Sequence, residues 1–200
     1  LSGASTCGVG GDHVIYGGGT LRLTGSLNFS VNPAFIFSEG KFVLDGGTYT
    51  SLGGFRIGSA AAASTPVEVV VSNSASLTLT VGAANLRVGD GAADVPSRLI
   101  VDNGTVTMYA GHLGIPYVAG CTGEVLQTGG LVKDCYVVFS DSGAGVGTYA
   151  VTNGILEPIQ IRKDTAAGKA VIRFNNAWLR PSLYTTNYAG FMNGLDVAEI

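Results

Sequence analysis

The sequence predicts an all-β parallel β-helix of about six to seven turns of 23–29 residues. Three observations carry that expectation: a recurring short phrase, period-two alternation in place of a helical period, and corner residues that return once per turn. The phrase is a small residue, an outward residue that is often Thr, an apolar residue and a polar one. It begins at Gly19, Gly47, Ala75, Gly104, Gly130, Gly154 and Ala177, in steps of 28, 28, 29, 26, 24 and 23 residues. A period of that length is one supersecondary unit, which buries a core only by stacking on its neighbours.

Residues 1–17 are read as an N-terminal lead-in or edge turn, and residues 18–200 as the repeat region of a longer solenoid. The chain opens at Leu1 and closes on Leu195-Asp196-Val197-Ala198-Glu199-Ile200, which is the ground for expecting a piece of a larger protein. One turn reads Phe42-Val43-Leu44-Asp45, a corner at Gly46-Gly47, Thr48-Tyr49-Thr50, a loop, then Phe55-Arg56-Ile57-Gly58. Third segments of later turns are Leu86-Arg87-Val88-Gly89, His112-Leu113-Gly114-Ile115, Tyr136-Val137-Val138-Phe139 and Ile159-Gln160-Ile161. Val, Thr and aromatic residues alternating with polar ones favour strands of four to six residues. The Ala-rich run from Gly58 to Thr65, closed by Pro66, is expected to be a loop. Corners fall at Gly46-Gly47, Asn103-Gly104, Gly129-Gly130, Asn153-Gly154 and Asn175-Asn176, residues that readily accept positive φ. No helix follows these glycines, so they do not read as a phosphate cradle.

Aligning the phrases places Leu21, Tyr49, Leu77, Val106, Val132, Leu156 and Leu179 inside, and strand alternation sends their neighbours outward. One outward column reads Thr20, Thr48, Ser76, Thr105, Leu131, Ile155, Trp178. The other reads Arg22, Thr50, Thr78, Thr107, Lys133, Glu157, Arg180.

Composition narrows the function classes. Hydrophobic residues make up 46% of the chain against only 12% charged, with 31 Gly and a formal charge of −3, which is neither a disordered composition nor a basic nucleic-acid surface. Nucleic acid is therefore not an expected partner. Apolar runs such as Val67-Glu68-Val69-Val70-Val71 are short and interrupted, so this piece has no membrane-spanning helix. Three cysteines, Cys7, Cys121 and Cys135, do not suggest a disulfide framework; a Cys121–Cys135 bridge is left open. With no C-x-x-C, and with His13 and His112 remote from one another, neither a structural metal nor any cofactor is expected.

The segments Gly18-Gly19-Thr20-Leu21-Arg22-Leu23-Thr24-Gly25, Gly147-Thr148-Tyr149-Ala150-Val151-Thr152-Asn153-Gly154 and Ala170-Val171-Ile172-Arg173-Phe174-Asn175-Asn176-Ala177-Trp178-Leu179-Arg180-Pro181 resemble autotransporter-associated β-strand repeats. Those repeats belong to large bacterial secreted and surface proteins. The resemblance covers most of residues 18–195 and implies a right-handed β-solenoid passenger, placed extracellularly or on the bacterial cell surface. The right hand also follows the general rule for parallel crossovers. The resemblance brings no catalytic residues. Asn153-Gly154 and Asn175-Asn176-Ala177 stand where the repeats carry Gly-Gly.

Several segments invite sharper readings. Gly8 to Gly19, with Asp12, is similar to one calcium-binding nonapeptide of repeats-in-toxin proteins, but a single copy cannot build a site shared between repeats. A polysaccharide lyase or hydrolase needs acids converging on a groove; Asp90 and Asp94 share one loop, though turn chemistry explains both. The Thr-x-Thr pairs Thr48/Thr50, Ser76/Thr78 and Thr105/Thr107 suggest an ice-binding array, but only on three turns. More distinctive are Lys133, Glu157 and Arg180 stacked on adjacent turns, beside an apolar outward strip of Leu131, Ile155 and Trp178. Trp178, Arg180, Ile155, Leu131 and Lys133 are the candidate ligand or partner contacts.

The expected function is that of a non-catalytic adhesive stalk or passenger. Its expected partners are a polysaccharide or another surface molecule, and neighbouring turns or domains of the same longer chain. The alternatives are a β-helical polysaccharide lyase or hydrolase, and an ice- or calcium-binding solenoid.

Overall fold

The computed structural model describes residues 4–7, 13–15, 19–29, 35–37, 40–58, 66–81, 84–91, 95–186 and 189–199. Among these there are strands, turns and bends but no helix. The strands form three eight-stranded parallel sheets, and each strand inside a sheet hydrogen-bonds to the strands one turn before and one turn after it. The architecture is the predicted parallel β-solenoid. The chain visits the third sheet at Lys41–Asp45, the first at Thr48–Ser51, the second at Phe55–Ile57, then returns to the third at Val67–Ser72. Ala4–Cys7 and His13–Ile15 already belong to the first and second sheets, so the sheets begin within the first 17 residues.

Alternation builds the core. In Val67–Ser72 the residues Val67, Val69 and Val71 point in and Glu68, Val70 and Ser72 point out. Inward residues then stack rung on rung: Phe42, Val69, Leu99, Val125, Tyr149 and Ile172 in the third sheet; Phe55, Leu86, Leu113, Val137 and Ile161 in the second. All are essentially fully buried. Within this core Tyr49 meets Phe55 edge-on, with ring centroids 5.3 Å apart.

In the first sheet the inward column is Leu27, Tyr49, Leu77, Val106, Val132, Leu156 and Leu179. The sequence placed Leu21 at its head. Leu21 instead pairs with Phe42 in the third sheet, so Ser26 and Asn28, rather than Thr20 and Arg22, precede the outward columns. Two similar phrases, Thr20-Leu21-Arg22 and Ser26-Leu27-Asn28, lie within one turn, and regular spacing favoured the wrong one.

Each predicted corner holds one residue at positive φ: Gly46, Asn103, Gly130, Asn153 and Asn176. At Gly130 the requirement is double, because a Cβ there would also overlap the backbone of Gly104 on the turn below. Beside this corner Gln127, almost fully buried, donates to the carbonyls of Gly130 (3.2 Å) and Ile155 (2.9 Å) and accepts from the Tyr149 hydroxyl at 2.9 Å. A buried amide so satisfied fixes the spacing of adjacent turns.

Cys121 and Cys135 are buried free thiols, which settles the open question of their pairing. The Ala-rich run at 59–65, and Asp12 of the calcium-like segment, lie outside the described residues. No described helix is long and apolar enough to cross a membrane.

Candidate functional site

The predicted face of the first sheet assembles in the predicted register. Leu131, Ile155 and Trp178 stack on successive rungs, over the buried Val132, Leu156 and the half-buried Leu179. The Trp178 indole is 74% exposed, while Leu131 and Ile155 are half-exposed beside it. A depression of about 240 Å³ lies between Ile155, Trp178 and Arg180.

The charged column is paired differently from the simple alternation of the sequence. Lys133 is level with Glu157, and the Arg180 guanidinium pairs with the Glu157 carboxylate, which is 16% exposed. Lys133 turns to its own neighbour, with Nζ 3.6 Å from Asp134 Oδ2. Beyond them opens a groove of about 530 Å³, lined by Tyr109, Lys133, Asp134 and Glu157 and by Arg180, Pro181, Leu183 and Tyr184. Arg180 thus separates the groove from the depression under Trp178.

One wall of the groove is held in place. Asp134, at φ 60° and almost buried, accepts a hydrogen bond from the Ser182 hydroxyl at 2.6 Å. The Ser182 amide donates to Pro158 at 2.9 Å, and the Thr185 hydroxyl donates to the Ile159 carbonyl at 3.1 Å. These bonds present Leu183, fully exposed, and Tyr184, 54% exposed, on the same side as Trp178 and the exposed Tyr109. Sequence reasoning missed Tyr109, Ser182, Leu183 and Tyr184 because they lie in turns outside the repeated phrase.

The second sheet carries a separate polar cluster. His112 Nδ1 lies 3.1 Å from Asp141 Oδ1, and His112 Nε2 lies 3.3 Å from Arg162 Nη2. A guanidinium can only donate, so Nε2 is the acceptor and the proton sits on Nδ1, toward Asp141. Arg162 also donates to Asp164 at 2.7 Å, and Tyr136 packs edge-on against the imidazole with centroids 5.7 Å apart. The 29-residue separation of His112 and Asp141 hid this pair from a search for local motifs.

Asp90, one of the two loop acids weighed for catalysis, is 5% exposed and lies between two arginines of adjacent rungs: it pairs with Arg56, and its Oδ1 is 3.7 Å from Arg87. Arg87 in turn lies over the Tyr117 ring at 3.9 Å. That arrangement explains Asp90 as a brace between rungs; Asp94 lies outside the described residues. The Thr-x-Thr pairs are in register, but Thr107 is buried, which ends the exposed hydroxyl array at that rung. Among the described residues no group of three or more His, Cys, Asp or Glu side chains is placed to hold a metal ion.

No protein-family profile, curated protein or solved structure matches the chain.

Proposed function

We propose that this chain is a non-catalytic adhesive segment of a secreted or surface-exposed bacterial protein, a stalk or autotransporter-type passenger that binds polysaccharide through its first sheet. The observation that carries the proposal is an exposed tryptophan next to a groove that combines Tyr109 and Tyr184 with the Glu157–Arg180 pair. Aromatic faces stack on the apolar faces of sugar rings, while carboxylate and guanidinium groups bond to hydroxyls, which is the mix of rigid apolar area and oriented polar groups that ligand sites use. The stacked sheets supply rigidity, so the face is formed before ligand arrives and little ordering cost is left for binding.

Trp178→Ala is expected to weaken binding to a retained polysaccharide by about tenfold or more, as loss of an interface anchor does. Because the side chain is largely solvated, the stability change should stay within about 0.5 kcal/mol. The measurement is the bound fraction across a panel of neutral and acidic polysaccharides, with a denaturation curve for each protein. Unchanged binding by the variant would overturn the assignment of this face.

The Asp141–His112 pair favours a second reading, a polysaccharide lyase or hydrolase in which Arg162 swings from His112 to a substrate carboxylate and frees Nε2 to serve as general base. In that reading the same panel develops new chain ends, and His112→Ala abolishes them while leaving binding intact. An absence of new ends with every substrate counts against it.

A further inference from the structure

The outer face of the third sheet carries two columns that the repeated phrase does not register. In the first, Lys41, Glu68, Arg98 and Glu124 occupy one position on four consecutive rungs. Their signs alternate, and successive neighbours are paired: Lys41–Glu68 at 3.2 Å, Glu68–Arg98 at 3.6 Å, Arg98–Glu124 at 2.6 Å. Two residues along each strand lies the second column, Val43, Val70, Ile100 and Leu126. These four point outward and remain partly exposed, although outward strand positions are ordinarily polar. Four aliphatic side chains at about 4.8 Å spacing make a continuous apolar stripe nearly 15 Å long.

We propose that this face is a homotypic interface, on which a second copy of the chain docks antiparallel about a two-fold axis parallel to the strands, between the Glu68 and Arg98 rungs. That operation lays each column on its own counterpart in reverse order. Val70 then meets Ile100 and Val43 meets Leu126, so the two apolar stripes cover one another. Lys41 meets Glu124 and Glu68 meets Arg98, so every facing pair in the charged column is opposite in sign. A two-fold contact requires self-complementarity of this kind, and an alternating ladder with an even number of members supplies it. In the polar column on the other side of the stripe, Ser72 meets Asp102 and no acid faces an acid. The parallel arrangement would instead set Lys41 against Asp45, which Arg22 and Asn73 already engage, and Arg98 against Asp102, but would leave Glu68 facing Ser72 with no cation.

The face measures about 20 Å along the strands by about 19 Å across four rungs, which with side-chain relief buries roughly 1,000 Å² in total, near the lower limit for a specific interface. The dimer is therefore weak, assembling in the micromolar range or above. The interface is independent of the groove on the first sheet and leaves it open in both copies.

The test is sedimentation of the wild-type chain and two variants from about 1 to 500 µM, the span a small interface requires. Wild type is expected to approach twice its monomer mass at the upper end, and Ile100→Lys to remain monomeric. The second variant inverts the whole ladder, K41E/E68K/R98E/E124K, and so keeps every internal pair. It should dimerise with itself, yet fail to form mixed dimers with wild type, because every facing charge across the mixed contact would match in sign. A wild-type chain that stays monomeric throughout overturns the proposal and leaves the stripe to a different partner. Equal formation of mixed and self dimers overturns the antiparallel docking.

Discussion

Gly130→Ala is expected to destabilise the solenoid by about 3 kcal/mol or more, the sum of a left-handed backbone cost and an overpacking cost. Gly130 has φ +72°, a region that costs an alanine about 1–2 kcal/mol. The added methyl would also overlap the carbonyl oxygen and amide nitrogen of Gly104, atoms of the backbone that cannot swing aside as a side chain can. The rungs cannot separate locally without loss. Leu131 donates to Gly104 at 2.9 Å, Ile155 donates to Gly130 at 2.9 Å, and the Gln127 amide bonds to Gly130 as well. Gly120 supplies the control, since it too has positive φ (+77°) but its Cβ would point into open space. Gly120→Ala should therefore cost only the backbone share, about 1 kcal/mol. Urea denaturation midpoints of the two variants measure the difference, and equal shifts would show that contact between rungs contributes nothing at the Gly130 corner.

That corner was legible before the structure because its cause is local. A backbone that turns between two sheets needs positive φ, and Gly or Asn recurs where the turn recurs. The inward columns were legible for a similar reason, since Tyr49, Leu77, Val106, Val132 and Leu156 keep the same offset from their corners. Where two phrases fall within one turn, as at Leu21 and Leu27, alternation alone does not choose, and only pairing with Tyr49 selects Leu27. The stripe of Val43, Val70, Ile100 and Leu126 was hidden by the opposite problem. Its residues look like core residues, and a strand such as Val67-Glu68-Val69-Val70-Val71 gives little sign that Val70 faces outward. At the first-sheet face the stacking of Leu131, Ile155 and Trp178 could be read from offsets. The partner of Lys133 could not, because Asp134 reaches it through a left-handed turn and not through the strand ladder. Groups brought together by coiling from different turns, such as His112 with Asp141 or Asp134 with Ser182, leave no local pattern in the chain.

Alkaline pH is expected to unfold this protein well before its arginines titrate. Burial pushes the Cys135 thiol up to about 12 from an ordinary value of 9.0, with the nearby Asp134 charge adding to the effect. Burial likewise pushes the Tyr149 and Tyr49 phenols well above their ordinary value of 10.0. In the unfolded chain all three ionise normally, so above pH 9–10 the unfolded state binds fewer protons than the folded one. Folding stability that is fully present below those values is then lost as pH rises, by about 1.4 kcal/mol per group for each pH unit. By about pH 11 the thiol is two units past its unfolded value and each phenol one, a combined loss of roughly 5 kcal/mol, comparable with the whole stability of many domains. Tyr149 adds a structural consequence, since its ionised oxygen could no longer donate to Gln127, the amide that ties two rungs together. Urea midpoints measured from pH 8 to 11 should be flat at first, begin to fall near pH 9 and steepen past pH 10. Cys135→Ala should remove the earliest part of the fall and leave the later part. A midpoint unchanged at pH 11 would mean that these groups reach water in the folded protein, and that the core between the three sheets is not closed.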